Sequence, residues 1–190
     1  MSAEIILSIL AMIISTLALV QNSRSSKRGL RIEKIEEMLE ITHTLNANYQ
    51  YFEDTHVFKM DLWLDPEKKE EQDKYLKQSQ VLKDIADDIN VRKILSRLYI
   101  LNSSYLPKST LKSKVGELVA IYTCLCESTV VNPTKIVALP YNEFPKKWEI
   151  FEFIEEIQSD LIKEMKLGYS KSASESYKYT KEFKQRYNLK

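Results

Sequence analysis

Apolar positions along the chain recur at helical spacing, with one long uncharged run ahead of them. From Ile5 to Ser23 no residue is charged. Past Gly29, Ile32, Ile35, Met38, Leu39, Leu45, Tyr49 and Phe52 share one helical face, with Glu33, Glu36, Glu37 and Glu40 largely elsewhere. This predicts an amphipathic helix over about 28–58, which can run on directly from the segment before it because Gly29 is the only weak point. Asp65-Pro66 suits a helix start. The helix that follows reaches about Asp88 and buries Tyr75, Leu82 and Ile85. Asn90 can cap another, which carries Val91, Ile94, Leu95, Leu98 and Leu101. Pro107 and Ser109 mark a break. A helix over about 109–128 then presents Leu111, Val115, Leu118, Val119, Tyr122 and Leu125. Thr129–Phe144, with Pro133 and Pro140, is the longest loop, and Ile136–Leu139 suits a short extended piece packed on the bundle. The last strong helix starts near Pro145, carries Trp148, Phe151, Ile154, Ile157, Leu161, Ile162 and Met165, and stops at Gly168. The chain thus divides into 1–23, an uncharged anchor; 24–64, a basic segment and long amphipathic helix; 65–168, a helical bundle; and 169–190, a basic, Tyr-rich tail. Three glycines and five prolines in 190 residues leave little material for hairpins. The expected class is all-α: a single N-terminal transmembrane helix followed by a cytoplasmic helical bundle.

The 19 positions from Ile5 to Ser23 cover roughly 28 Å as a helix, against about 30 Å of bilayer hydrocarbon. Met-Ser-Ala-Glu lacks the basic start of a signal peptide, which favours a retained anchor. Arg24, Lys27, Arg28, Arg31 and Lys34 follow the run, while only Glu4 precedes it. The positive-inside rule then places the N-terminus outside and the bundle in the cytoplasm, a single pass through a bacterial inner membrane. Ser8, Ala11, Ser15, Ala18 and Asn22 form a stripe at spacings of three and four. Such a stripe suits close contact between helices, the lining of a narrow aqueous path in a ring of copies, or nothing beyond the usual content of membrane helices. The basic residues stay within roughly 120° of one another, a stripe suited to anionic headgroups or, in a ring, to a positive collar.

Charge narrows the function classes. With 28 basic and 27 acidic residues the formal net charge is +1, unlike the strong basic excess of a general nucleic-acid binder. The tail from Tyr169 has six Lys or Arg and two Glu, so it suits RNA stacking or, more simply, a solvated basic face; direct RNA binding is not expected. Cys124 and Cys126 are two apart and point in different directions on a helix, which argues against a disulfide and suits a reducing compartment. No glycine-rich phosphate loop is present. His43 and His56 each follow a Glu by three residues, Glu40 and Glu53. Glu-x-x-His is half of a di-iron signature, but both pairs lie on one expected helix, about 20 Å apart. They read as pairs on a solvated flank. No cofactor, metal site or catalytic residue is expected.

The uncharged run at 5–23, the basic edge Arg24–Arg31 and the helical domain behind them together resemble the small membrane-anchored accessory proteins of type VI-B CRISPR systems. The resemblance covers most of the chain at the level of architecture. It implies a divergent HEPN helical domain, assembly of copies into a membrane pore, and support of antiviral defence by an RNA-guided RNase. A catalytic HEPN domain needs Arg four to six residues plus one before its His. Those positions are Glu36, Glu37 and Met38 before His43, and Tyr49, Gln50 and Tyr51 before His56, so no RNase residue is transferred. The expected function is a membrane-anchored, homo-oligomeric, pore-forming accessory factor, with lipid and an RNA-guided RNase as partners. A membrane-tethered scaffold that does not conduct, and a membrane-bound HEPN-type RNase, are the alternatives.

Overall fold

A computed structural model describes residues 3–64, 68, 71–107, 109–141 and 143–165, with the side chains of residues 3–10 outside that description. Helix α1 runs unbroken over Ala3–Leu64, α2 over Gln72–Asp88, α3 over Val91–Tyr105, α4 over Thr110–Cys126 and α5 over Lys147–Met165. A π-helix, Glu127–Val131, continues α4. No strand occurs among the described residues, so the all-α expectation holds.

The second half of α1 is the axis of the bundle. Ile35, Met38, Thr42, Leu45, Tyr49 and Phe52 are buried at alternating spacings of three and four, the stripe a helix needs to face a core along its whole length. Helix α5 lies antiparallel on it. Arg31 Nη2 meets Glu164 Oε2 at 2.5 Å, Gln158 Nε2 donates to Thr42 Oγ1 at 3.3 Å, and Lys147 Nζ donates to Gln50 Oε1 at 2.5 Å. Helix α4 runs parallel to α1, with the Tyr122 hydroxyl donating to the Leu45 carbonyl and Lys59 reaching Ser128. Helix α3 pairs with α4 through Asn102 Nδ2, which donates to Lys112 O at 3.0 Å, and with α1 through Arg97, which holds both carboxylate oxygens of Glu37 at 2.5 and 2.8 Å. Helix α2 packs near the end of α1, where Tyr75 meets the rings of Phe58 and Trp63 edge-on.

Local signals account for most boundaries. Ser109 caps α4 by accepting from Lys112 N at 3.4 Å, and Asn90 takes the left-handed conformation, φ 51°, that Asn tolerates between α2 and α3. Helix α2 starts at Gln72, later than the Asp65-Pro66 signal, which lies outside the described residues along with Gly168 and the tail from 169. On α5 the buried stripe is Ile150, Ile154, Ile157, Leu161 and Met165. Trp148, Phe151 and Ile162, expected inside, are 60%, 47% and 56% exposed. One stripe suffices for a helix packed from one side, and these three lie off it. Ile136–Leu139 belongs to no helix or strand, with Ile136 exposed and Val137 and Leu139 half-buried.

The anchor is the main correction. Among the described residues no helix is long and apolar enough to cross a membrane. The described apolar run, Ala11–Val20, rises about 15 Å, half of a bilayer's hydrocarbon thickness of about 30 Å, and Gln21, Asn22 and Arg24 follow it. The part of the expected span before Ala11 lies outside the described side chains. This overturns the transmembrane helix over 1–23 and the single-pass, N-terminus-outside inner-membrane placement built on it. In the structure this stretch is the outer arm of α1, with Met12, Ile14, Leu17 and Leu19 each more than 60% exposed.

Candidate functional site

The core stripe of α1 does not end at Phe52. Spacings of four and three carry it on to His56 and Lys59, and there the core turns polar. Lys59 is fully buried. Its Nζ donates to Ser128 O at 2.7 Å, Asn132 O at 2.8 Å and Ser128 Oγ at 3.4 Å, which occupies all three of its protons.

The π-helix explains why a lysine is needed. Its i→i+5 pattern, seen in Asn132 N donating to Glu127 O at 3.1 Å, interrupts the α-helical ladder near the helix end, where carbonyls lack intrahelical donors. Lys59 supplies those donors. It also sets a cation at the negative end of the α4 dipole, and among the described residues no carboxylate bonds to it. Burial holds its ammonium below the usual lysine range.

His56 Nδ1 lies 3.0 Å from Ser128 Oγ, and its ring meets Phe144 edge-on with centroids 4.8 Å apart. Burial first, and the neighbouring Lys59 charge second, hold it below the ordinary histidine value. Neighbouring tyrosines pin the surrounding chain. Tyr75 donates to Pro133 O at 2.6 Å and Tyr49 to Pro145 O at 2.5 Å. Thr55, itself buried, accepts from Gln78 Nε2 at 3.1 Å. A hydroxyl between an imidazole and an ammonium has the components of an activated nucleophile, but Ser128 is 2% exposed, so this centre is closed to a substrate. Nearby Cys126 is buried, with its thiol pushed up to about 12, and remains protonated and unreactive.

The expected sites are distributed differently. Ala11, Ser15, Ala18 and Asn22 lie on the exposed arm, while the Ser8 side chain is outside the described residues. Of the basic stripe, Arg24, Lys27 and Arg28 are exposed. Arg31 pairs with Glu164, and Lys34 with Glu33 and Glu37 at 2.7 and 3.4 Å. The stripe therefore splits into an exposed upper part and a lower part engaged by acids of the bundle. An open cleft of about 620 Å³ lies between them, lined by Lys27, Arg28, Arg31, Ile32, Glu164 and Met165.

His43 is exposed. His56 was expected on the same solvated flank and is instead half-buried against Ser128 and Phe144, because it falls on the core stripe rather than beside it. Sequence analysis missed Lys59 and Ser128. Extending the three-and-four spacing beyond Phe52 by one heptad would have found Lys59, whereas the π-turn has no sequence signature that would have singled out Ser128. Among the described residues, no three His, Cys, Asp or Glu side chains gather where they could hold a metal ion. No family model matches the chain, and no curated protein or solved structure matches it either.

Proposed function

We propose that the chain is a self-assembling helical accessory protein whose copies join through the outer arm of α1. One observation supports this reading above the others. Met12, Ile13, Ile14, Leu17, Leu19 and Val20 are all exposed, between 44% and 73%, and at 100° per residue they spread over about 220° of the helix, with the small-residue stripe of Ala11, Ser15 and Ala18 in the remaining sector. Exposed apolar surface of this extent marks an interaction site. A single groove covers one side of a helix. A cluster of identical arms covers the faces turned to the axis and to both neighbours, and the small residues Ala11, Ser15 and Ala18 let backbones approach while the large ones fill the spaces between. The bundle would then stand outside this cluster, free to meet another protein. The setting we propose, support of an RNA-guided antiviral RNase, rests on the resemblance alone.

Sedimentation of the full chain over a range of concentrations tests the assembly. A discrete oligomer is expected. Ser15→Leu should weaken it, while Leu17→Ile, which keeps volume and points elsewhere, should not. A chain that stays monomeric throughout, or equal behaviour of the two variants, would remove the arm as an assembly element. Co-purification with a co-expressed RNA-guided RNase tests the setting separately.

A further inference from the structure

We propose that His56, Ser128 and Lys59 form an acid-sensitive latch: neutral His56 holds the π-turn Glu127–Val131 against α1, and protonated His56 lets it go. The argument starts from the single proton of the Ser128 hydroxyl. Lys59 Nζ donates to Ser128 Oγ, so the hydroxyl can pass its own proton to His56 Nδ1, 3.0 Å away. The chain of donors runs one way, and it needs Nδ1 as an acceptor. Protonation makes Nδ1 a donor. Two cations then bear on one hydroxyl in a buried setting where their repulsion is poorly screened.

The surroundings offer little relief. On α1 the other charged neighbour is Glu53, whose carboxyl burial pushes upward, one turn before His56. On the π-turn, Glu127 is exposed and bonded to Asn132 Nδ2 at 2.7 Å. Beside Phe144 stand Glu143 and Lys146, both exposed, and the Lys146 amide is taken by Glu149 at 2.8 Å. Helix α2 meets this region through Gln78 and Tyr75, both uncharged. Among the described residues no carboxylate bonds to His56 or Lys59. Opening offers the only other escape, because a released His56 regains the ordinary histidine value near 6.5. The open form therefore binds more protons than the closed one as pH falls through that value, and acid favours opening.

Hydrogen exchange of the full chain between pH 7.5 and 5, expressed as protection factors, tests the latch. Protection at 127–131 should fall about tenfold for each unit by which closure depresses His56, while Val115–Tyr122 keep theirs. His56→Asn retains an acceptor near Nδ1 that does not titrate, and should keep its protection at both pH values. Unchanged protection in the natural sequence, or the same loss in His56→Asn, would overturn the latch. If His56→Asn does not fold, Lys59→Gln provides the second arm. The His56 ring, followed by its NMR titration, should then move up toward 6.5, and a midpoint that does not rise would overturn the proposal as well.

Discussion

Residues 11–30 and 31–64 belong to one helix and share one backbone, but their side chains meet opposite surroundings. In the inner half, most large apolar residues form a stripe and the stripe is buried, with Ile35, Met38, Leu45, Tyr49 and Phe52 at 0% exposure, while Tyr51 and Val57 lie off it and are exposed. In the outer half, the large apolar residues spread over more than half of the helix circumference and all of those described are exposed. Helix continuity across Gly29 follows from local hydrogen bonding, which does not depend on what the side chains touch. Burial depends on packing, and among the described residues the large apolar side chains of the inner stripe are packed while those of the outer half are not. The outer half is a complete helix whose large apolar side chains stand exposed.

The largest expected effect separates the two halves directly. Leu45→Ala leaves a cavity in the core, where Leu45 is fully buried, and should cost about 2–5 kcal/mol of unfolding stability. Leu17→Ala on the arm should change unfolding of the bundle by less than about 0.5 kcal/mol, as an exposed substitution does, and register instead in sedimentation. Denaturant unfolding measures both. An equal loss at the two positions would mean that the arm packs against the bundle and that the contrast is false.

The same contrast explains what was legible in the sequence. Helix existence was, because the three-and-four spacing from Ile32 to Phe52 and from Ile154 to Met165 is imposed by packing on one side. The boundaries at Asn90 and at Pro107 and Ser109 were legible because their chemistry is local, though Asn90 serves by its left-handed backbone and makes no side-chain cap. The fate of the outer arm was not. An uncharged run looks alike whether lipid or other helices are to cover it, and its length decided the expectation of a membrane span. The polar centre was half legible. His56 and Lys59 sit in register with the core, but a lysine in a core position reads as an error in the pattern until the π-turn's unpaired carbonyls are known. Trp148, Phe151 and Ile162 misled for the opposite reason: an aromatic or aliphatic side chain carries no mark of which face it occupies when the helix has apolar residues on two.

An intermediate effect is expected within the inner half, where its core turns polar. Lys59→Met keeps the volume but removes the donors to Ser128 O and Asn132 O, and each buried carbonyl left unpaired costs about 1–3 kcal/mol. Relief of the buried charge offsets part of this, so a net loss of about 2 kcal/mol is expected, concentrated in exchange protection at 127–132. The pH dependence has a definite sign. Burial lowers the Lys59 value from 10.5, so the unfolded chain holds this proton to higher pH than the folded one. Stability from this group therefore rises as pH climbs toward 10.5, and Lys59→Met should lose that rise. A variant as stable as the natural chain, with protection at 127–132 intact, would show that the carbonyls find other donors.

The smallest effect is expected where the halves join. Gly29 is exposed, and a Cβ placed there meets nothing within 4 Å. A glycine inside a helix costs about 0.5–1 kcal/mol relative to alanine, because the unfolded backbone has more freedom to lose. Gly29→Ala should therefore stiffen the junction by about that amount without adding a contact. The gain need not appear in global unfolding, since the arm can fray while the bundle stays folded. It should appear as slower amide exchange over about 24–34, with rates inside α3 and α4 unchanged. If the copies associate through their arms, a stiffer junction also ties the orientation of the bundle more firmly to that of the arm, so crosslinks between bundles in the oligomer should become fewer and more uniform. Slower exchange without any change in crosslinking would separate the two halves further, by showing that the junction transmits helix but not orientation. Faster exchange at 24–34 would mean that the helix needs flexibility at Gly29, and that its two halves are joined by a hinge rather than by a continuous rod.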